Sequence, residues 1–245
     1  MDNLNIAFPE KTSKEKNEIA RKFFRNFTDF IVESIKNFSM KDVEFAKRYR
    51  FENLQDIVEN VLKNQKGAVI YATHQFNWEW MINVAQHLPD NTQAFISYTP
   101  LSNKPLDKLL KMNRERFGLK LASARTFIKT IESYKDKTIC VSGLISDQSP
   151  KANYKFRTEF FGVEVPVYTG PENIATKLEQ SYWFLQVHRV KRGHFRVYFE
   201  HITDDPASFE AGELTKLSIQ KTEELIREQP DNYLWTHRRW KHATK

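Results

Sequence analysis

A strand-turn-helix stretch over residues 67–80 constrains the fold of this chain more than any other feature. Residues 68–72 (Ala-Val-Ile-Tyr-Ala) form a short apolar run of β-forming residues after a glycine, which predicts a buried strand. Asn77 is a favourable N-cap, and Glu79 then falls in the first turn, where an acidic side chain suits the positive end of a helix. His74 therefore lies between strand and helix, at the sheet edge where α/β folds place their chemistry.

His74 and Glu79 are candidates for a catalytic pair. Residues five apart on one continuous helix point in different directions, so the two meet only if His74 lies in the turn and Glu79 in the first helical turn. Glu79 would then accept the proton of one ring nitrogen and leave the other nitrogen free to deprotonate a substrate hydroxyl. A hydrogen-bonded pair of this kind in a turn can also be purely structural, and the spacing alone leaves both interpretations open.

The sequence around this pair, His74-Gln-Phe-Asn77-Trp78-Glu79-Trp80, resembles motifs of known acyltransferases. The five-residue spacing is similar to the His-x-x-x-x-Asp/Glu motif of the lysophospholipid acyltransferase superfamily. The Asn-Trp-Glu context resembles the His-x-x-Asn-Trp-Glu of the lipid A late acyltransferase family, and the resemblance extends over nearly the whole chain. It implies an α/β, glycerolipid acyltransferase-like sandwich with a mixed central sheet flanked by helices, plus N-terminal helices.

The resemblance also implies a reaction. A fatty acyl group moves from a carrier thioester, on acyl carrier protein or coenzyme A, directly to a hydroxyl of an anionic membrane lipid, for which the family suggests a lipid A precursor. His74 is then the general base and Glu79 orients it, without a serine or cysteine nucleophile, a metal or a further cofactor. A lyso-aminolipid or lysophospholipid acceptor, a non-catalytic lipid-binding protein on the same fold and a thioester hydrolase are the alternatives.

Length and composition limit the other function classes. A chain of 245 residues with 40% hydrophobic and 28% charged residues fits one globular domain. We divide it into an N-terminal helical segment, residues 1–66, packed on an acyltransferase core, residues 67–245. None of the seven glycines forms a dinucleotide-binding or Walker-type loop, so no nucleotide cofactor is expected. The single cysteine, Cys140, lies in an apolar run and is expected to serve packing.

The net charge of +7 predicts an anionic partner. A membrane surface, a phosphorylated lipid and an acidic carrier protein all fit this charge. The basic residues follow no recognised nucleic-acid-binding motif, so no nucleic acid partner is expected. His188, His194 and His201 lack the spacing of metal ligands, and no metal site is expected.

Alternating strand and helix signals follow the His74 turn and support the α/β assignment. The predicted helices cover residues 13–38, 41–64, 102–117, 125–134, 169–180 and 212–228. The predicted strands cover residues 68–72, 94–98, 137–142, 182–190 and 194–200, the last two as a hairpin. The helix over residues 13–38 is amphipathic, and we favour a helix that caps the core over one that lies on a membrane.

Two arginines end the predicted helix over residues 102–117. The family has a similar Arg-x-Arg with an arginine assigned to the site, so Arg116 is our first candidate and Arg114 our second. Either would stabilise the thioester oxyanion or hold an acceptor phosphate. Compensation of the helix dipole explains both arginines equally well. Asn77 is expected to assist in stabilising charge, and Trp78 to line an acyl pocket.

Two further segments resemble parts of the family's sequence that are expected to contribute to a binding site. Asp147 and Gln148 follow a predicted strand and are expected to line the pocket, either by binding acceptor hydroxyls or by bracing a loop. Thr169 and Gly170 begin a predicted helix and are expected to offer backbone donors to the reacting carbonyl or to a phosphate. A capping box between Thr169 and Glu172 is the structural explanation of the same residues.

Residues 230–241 resemble the family's Leu-Trp-x-His-Arg-Arg-Trp-Lys ending. Arg238 and Arg239 lie between two tryptophans, an arrangement that suits contact with anionic headgroups, and they are expected to bind the lipid substrate. A C-terminal helix with Trp235 buried and a solvated basic face is the alternative.

Other parts of the sequence bear on how the protein would associate with a membrane. No run of about 18 apolar residues is present, and no signal peptide is visible. The opening segment Asn3-Leu4-Asn-Ile-Ala7-Phe8-Pro9 is similar to a family segment that follows a hydrophobic anchor. We therefore expect the protein at the cytoplasmic face of the bacterial inner membrane, held peripherally or through an N-terminal anchor that this chain lacks.

Overall fold

A computed structural model describes residues 1–244 and confirms the α/β class, with a mixed seven-stranded sheet between helices and with N-terminal helices. The α-helices are α1 (Asp2–Ala7), α2 (Ser13–Lys36), α3 (Asp42–Arg48), α4 (Leu54–Asn64), α5 (Lys104–Glu115), α6 (Phe127–Glu132), α7 (Gly170–Leu178) and α8 (Glu213–Glu228). The strands are β1 (Tyr49–Phe51), β2 (Ala68–Ala72), β3 (Thr92–Tyr98), β4 (Lys120–Ser123), β5 (Ile139–Ile145), β6 (Arg157–Phe160), β7 (Val163–Pro166), β8 (Ser181–Lys191) and β9 (His194–Thr203). Segments of 3-10 helix cover Trp78–His87, Pro206–Ser208 and Pro230–Asn232.

The strand order in the sheet is β1-β9-β8-β2-β5-β3-β4. Strands β8, β2, β5, β3 and β4 run parallel to one another, whereas β9 runs antiparallel to β8 and β1 runs parallel to β9. Strands β6 and β7 form a separate antiparallel hairpin. Because β2 and β5 are parallel neighbours at the centre, the residues that follow them meet at one edge of the sheet.

Strand β2 has the predicted bounds and is buried on both faces. Ala68, Ile70 and Ala72 belong to the hydrophobic cluster on one face, whereas Val69 and Tyr71 belong to the cluster on the other. A strand covered on both sides has no solvent-facing residue, which is why its sequence is a continuous apolar run without alternation.

The N-terminal segment shares the core of the rest of the chain. Phe23 of α2 and Phe45 of α3 are buried in the same cluster as Trp80. Helix α2 begins with a capping box between Thr12 and Glu15. The segment is not purely helical, because β1 adds a strand to the sheet beside β9. The division between residues 66 and 67 stays a prediction.

Helix α2 has a second apolar stripe that faces outward. Phe24, Ile31, Val32 and Ile35 are exposed at helical spacing, and Ile35 keeps 66% of its surface accessible. Capping of the core therefore accounts for only one face of this helix. Among residues 1–244, no helix is long and apolar enough to cross a bilayer.

Three local predictions were wrong. The single helix expected over residues 41–64 is interrupted by β1, because that short edge strand pairs with β9 far along the chain. Strand β4 and the β6–β7 hairpin were missed, since each is short and lacks a regular alternation. The tail after the 3-10 segment Pro230–Asn232 forms turns, so the alternative of a C-terminal helix does not hold.

Candidate active site

The pairing register of β2 and β5 brings His74 and Asp147 together. Ala72 lies opposite Ile145 in this register, and each of the two site residues comes two positions after its strand residue. The strands are parallel and adjacent, so both side chains emerge at the same place on the carboxyl edge. Asp147 contacts His74 directly, but it is only 1% exposed and is not among the residues that line the cleft, where it was expected.

Asp147 holds His74 through two hydrogen bonds. The ring Nδ1 lies 2.6 Å from one carboxylate oxygen of Asp147, and the backbone N–H of His74 donates to the other oxygen at 3.1 Å. The carboxylate is 1% exposed, whereas the imidazole is 17% exposed. Because an ionised carboxylate accepts only, Nδ1 carries the proton and Nε2 presents its lone pair. The side-chain amide of Gln148 donates to Nε2 at 3.2 Å.

Asp147 is ionised in this environment. Burial works to raise the pKa of its carboxyl group, but the charge and the hydrogen bonds of His74 outweigh burial and hold the pKa below its usual value. The buried anion therefore fixes the tautomer and the orientation of the imidazole.

Glu79 does not orient His74, contrary to the expected pairing. Its carboxylate forms a bidentate ion pair with Arg114, with Nε–Oε2 at 3.1 Å and Nη2–Oε1 at 2.5 Å. The planar guanidinium matches a carboxylate in two parallel hydrogen bonds, while Asp147 already occupies Nδ1 of the imidazole. Glu79 and His74 line the same cleft without a hydrogen bond between them.

Arg114, and not Arg116, lines the cleft that contains His74. Arg116, our first candidate, donates to the backbone carbonyl oxygens of Asn37 and Met40, and its guanidinium lies 4.5 Å from the ring centre of Phe117. Residues two apart on a helix point to nearly opposite sides, so only one of the two arginines can reach the cleft. Arg116 instead joins the end of α5 to the end of α2.

The cleft around His74 has a volume of about 530 Å³. We name it the His74 cleft. Its polar lining comes from His74, Glu79, Ser97, Thr99, Arg114, Ser146, Gln148, Tyr154, Tyr168 and Asn173. Its other lining residues, mostly apolar, are Trp78, Met81, Ile82, Ile96, Ala124, Phe127, Ile128, Leu144, Ile145, Gly170 and Ile174. A polar rim with an apolar wall suits a substrate with a reactive polar end and a hydrocarbon chain.

Trp78 and Asn77 have different positions relative to this cleft. Trp78 lines it, with its ring edge-on to His74 at 5.0 Å between centroids and packed against Phe30 of α2 at 4.2 Å. Asn77 is fully buried: its side chain accepts from the backbone N–H of Glu79 at 3.1 Å and donates to Glu33 at 3.0 Å. The expected N-cap is therefore confirmed, whereas contact of Asn77 with substrate is not supported by its burial.

Thr169 and Gly170 lie at the start of α7, but the expected capping box does not form. Glu172 instead accepts from the backbone N–H groups of Gly212 and Thr215 at 2.5 and 2.9 Å, and so supports the start of α8. The Thr169 hydroxyl bonds to the phenol of Tyr154 at 3.1 Å. Gly170 lines the His74 cleft, where the positive end of the nine-residue helix α7 begins.

The two tail arginines differ from the expected interface pair. Arg238 is exposed, but Arg239 is only 1% exposed, donates to the carbonyl oxygen of Pro166 at 3.2 Å and lies 5.1 Å from the ring centre of Phe160. Burial lowers the pKa of Arg239, and the charge of Asp147 opposes that change. Arg239 is thus an interior cation, because the tail folds back on the core.

Sequence reasoning missed three side chains of the site region. Tyr154 and Tyr168 line the His74 cleft, and His237 accepts from the backbone N–H of Ser149 at 3.0 Å and fixes the loop after Asp147. No spacing rule marks these residues, since they come from a loop, a strand exit and the tail. Among the described residues, no group of three or more His, Cys, Asp or Glu side chains is arranged to hold a metal ion.

Comparison with protein families finds that residues 1–242 match the model of bacterial lipid A biosynthesis acyltransferase. The chain belongs to this family. Comparison with the curated proteins finds no match. Membership makes this protein an acyltransferase, and it implies an acyl donor and a lipid acceptor in general.

In this acyltransferase, Asp147→Asn is expected to move the ring proton of His74. Both carboxylate oxygens accept N–H groups of His74, and the new amide has only one oxygen. The backbone N–H of His74 cannot lose its proton, so it keeps the one oxygen of the new amide as its acceptor. The amide NH₂ then faces Nδ1, which must accept a hydrogen bond, so the ring proton moves to Nε2. ¹⁵N NMR of histidine-labelled protein measures this tautomer, with His74→Ala identifying the signal.

Glu79→Gln is the matched control, because Glu79 makes no hydrogen bond with the ring. It is expected to leave the Nδ1–H tautomer in place. A tautomer that changes in Glu79→Gln but persists in Asp147→Asn would contradict this account.

Proposed function

We propose that this acyltransferase moves a fatty acyl group from a carrier thioester to a hydroxyl of a lipid A precursor, with His74 as the general base. The observation that carries the proposal is the position of His74. Its Nδ1–H is held by a buried carboxylate, and its Nε2 faces a cleft with an apolar wall. A base whose tautomer is fixed in this way is ready to accept a proton from a hydroxyl group.

The reaction needs no covalent enzyme intermediate. Nε2 of His74 takes the proton of the acceptor hydroxyl as its oxygen attacks the thioester carbonyl carbon. The tetrahedral intermediate then expels the thiolate, which takes the proton from the imidazolium as the new ester forms. Asp147 stays ionised and stabilises the imidazolium between these two steps.

Gln148 contacts the nitrogen that the acceptor must reach. Its amide donates to Nε2 at 3.2 Å, so the acceptor hydroxyl replaces this amide when it binds. The displaced amide is a donor at the edge of the cleft, where a carbonyl oxygen with developing charge would lie. We therefore assign Gln148 to substrate binding and Asp147 to the orientation of His74.

Arg114 is our candidate for stabilising the oxyanion. Its guanidinium lines the His74 cleft and is held by Glu79, so its position is set before the substrate binds. Glu79 then acts through Arg114 and not through His74. This role replaces the one that the motif spacing first indicated.

The apolar wall of the cleft suits the acyl chain. Ile82, Ile96, Phe127, Leu144 and Ile174 are among its lining residues. The depth of such a pocket would select the length of the acyl chain. Acyl carrier protein and coenzyme A both remain candidate donors, because both are anionic and the chain has a net charge of +7.

The outward stripe of α2 supports contact with the cytoplasmic face of a bacterial inner membrane. This stripe consists of Phe24, Ile31, Val32 and Ile35, and the same helix packs Phe30 against Trp78 of the cleft. Basic residues flank the stripe, as expected for a helix on an anionic membrane surface. A lipid acceptor would then reach His74 from the side on which α2 meets the membrane.

Ile31→Gln with Ile35→Gln tests this contact. Loss of two exposed apolar side chains is expected to weaken binding to anionic phospholipid vesicles by roughly 10-fold or more. Vesicle flotation measures the bound fraction. Leu62→Gln with Val190→Gln is the control, since both residues are also exposed and neither lies on α2. Equal losses in the two double variants would argue against a specific membrane face.

His74→Ala is expected to lower acyl transfer by about 10²- to 10⁴-fold, the range for loss of a general base. Cells that depend on the variant should accumulate a lipid A species that lacks one acyl chain, as measured by mass spectrometry of total lipids. His194→Ala, at the hairpin turn of β8 and β9, is the control and should leave lipid A unchanged. If lipid A were unchanged but an aminolipid or a phospholipid were altered, the acceptor would be that lipid and not a lipid A precursor. If no lipid changed, the result would support a non-catalytic lipid-binding protein.

Arg114→Ala is expected to affect catalysis, whereas Arg116→Ala is expected to affect stability. Arg114→Ala is expected to reduce kcat by about 10²- to 10³-fold, as for loss of an oxyanion donor. Arg116→Ala is expected to leave kcat nearly unchanged and to lower Tm slightly, because it joins α5 to the end of α2. The opposite pattern would return Arg116 to the active site.

A further inference from the structure

A second cleft adjoins the His74 cleft. Its volume is about 520 Å³, and it is lined by the loop between β5 and β6 and by the residues just before α7. We name it the Lys151 cleft. Tyr154 and Tyr168 line both clefts and pack edge-to-face with ring centroids 5.6 Å apart, so they form the wall between the two.

The Lys151 cleft is positively charged. Lys151 and Lys155 line it and are exposed, and neither forms an ion pair with any residue in the described range 1–244. No aspartate or glutamate is among its lining residues. Two cations without carboxylate partners favour an anionic ligand over a neutral one.

The start of α7 adds to this field. Thr169 lines the Lys151 cleft at the N-cap of α7, a helix of nine residues, and its hydroxyl bonds to Tyr154 at 3.1 Å. The positive end of a helix beside two unpaired lysines is suited to a phosphate monoester, which carries a charge of about −2 shared among its oxygens. The aromatic wall offers a flat surface for a sugar ring that carries such a phosphate.

We propose that the Lys151 cleft binds a phosphate monoester on the headgroup of the acyl acceptor. The proposal rests on the proposed function, since it assigns the headgroup of that acceptor to a place beside the base. A phosphate held by Lys151 and Lys155 would orient the headgroup across the tyrosine wall. The reacting hydroxyl then projects towards Nε2 of His74, while the acyl donor occupies the apolar part of the His74 cleft.

The double variant Lys151→Ala with Lys155→Ala tests the assignment. With a phosphorylated glycolipid acceptor, its KM is expected to rise roughly 10-fold, mainly through binding, since two charge-assisted contacts are lost. Lys129→Ala with Lys216→Ala is the control, because it removes the same charge from two exposed lysines that line none of the described clefts. A similar rise in both double variants would overturn the proposal in favour of general electrostatic attraction.

An acceptor treated with phosphatase tests whether the phosphate and the two lysines interact, because loss of the phosphate can be combined with loss of the lysines. Removing the phosphate should raise the KM of the natural protein by a similar factor, and it should add little to the KM of the Lys151/Lys155 double variant. Additive effects would overturn the proposal. A rise in the KM of the thioester donor, with the acceptor KM unchanged, would place the phosphate on the donor and also overturn it.

A binding measurement separates this proposal from the proposed function. Calorimetric titration of the phosphorylated glycolipid in micelles into His74→Ala protein measures affinity without turnover. Affinity that depends on the two lysines, together with no acyl transfer by the natural protein, would uphold the phosphate site and reject the proposed reaction. Transfer in the natural protein, with lysine-independent affinity, would uphold the reaction and reject the site.

Discussion

The hydrogen-bonded contact of His74 with buried Asp147 is the interaction on which the site depends. Removal of a carboxylate from water costs several kcal/mol unless donors compensate it, and here His74 supplies both a ring N–H and a backbone N–H. These donors are available only in one register of β2 and β5. A slip of one residue would turn the following side chains to the other face. The pairing of two core strands thus sets the geometry of the base.

Much of the fold was predictable because its signals are local. The bounds of β2 and the hairpin of β8 and β9 follow from apolar runs and turn residues, and the edge position of His74 follows from the strand-turn-helix order. The presence of Asp147 near His74 was also predictable, because each follows a strand. Edge strand β1 was not, since its partner β9 lies far along the chain.

The partners within the site could not be read from spacing. Glu79 lies near His74 in the sequence, whereas Asp147 lies near it only in the fold. Which of the two carboxylates binds the imidazole depends on β5 being the neighbour of β2. Likewise, the sequence places Arg114 and Arg116 on one helix end without telling which face meets the cleft. In both cases the deciding information is the packing of elements that are distant in sequence.

The tail completes the surroundings of the catalytic pair. Asn232 accepts from the backbone N–H of Phe76 at 3.0 Å, and Tyr233 forms a bridge with Gln75, so the chain just after His74 is paired on its other side. Burial, and then the charge of Asp147, raise the pKa of Tyr233 well above its usual value, which keeps this phenol neutral beside the anion.

Arg239, from the same tail, supplies a buried positive charge in the neighbourhood of Asp147. The resemblance of residues 230–241 to a basic, tryptophan-rich family ending first indicated a membrane contact. Its buried members instead stabilise the turn after His74 and the negative charge of Asp147, because a buried carboxylate needs compensation from the elements packed around it. Of its two arginines, only the exposed Arg238 remains available to a headgroup.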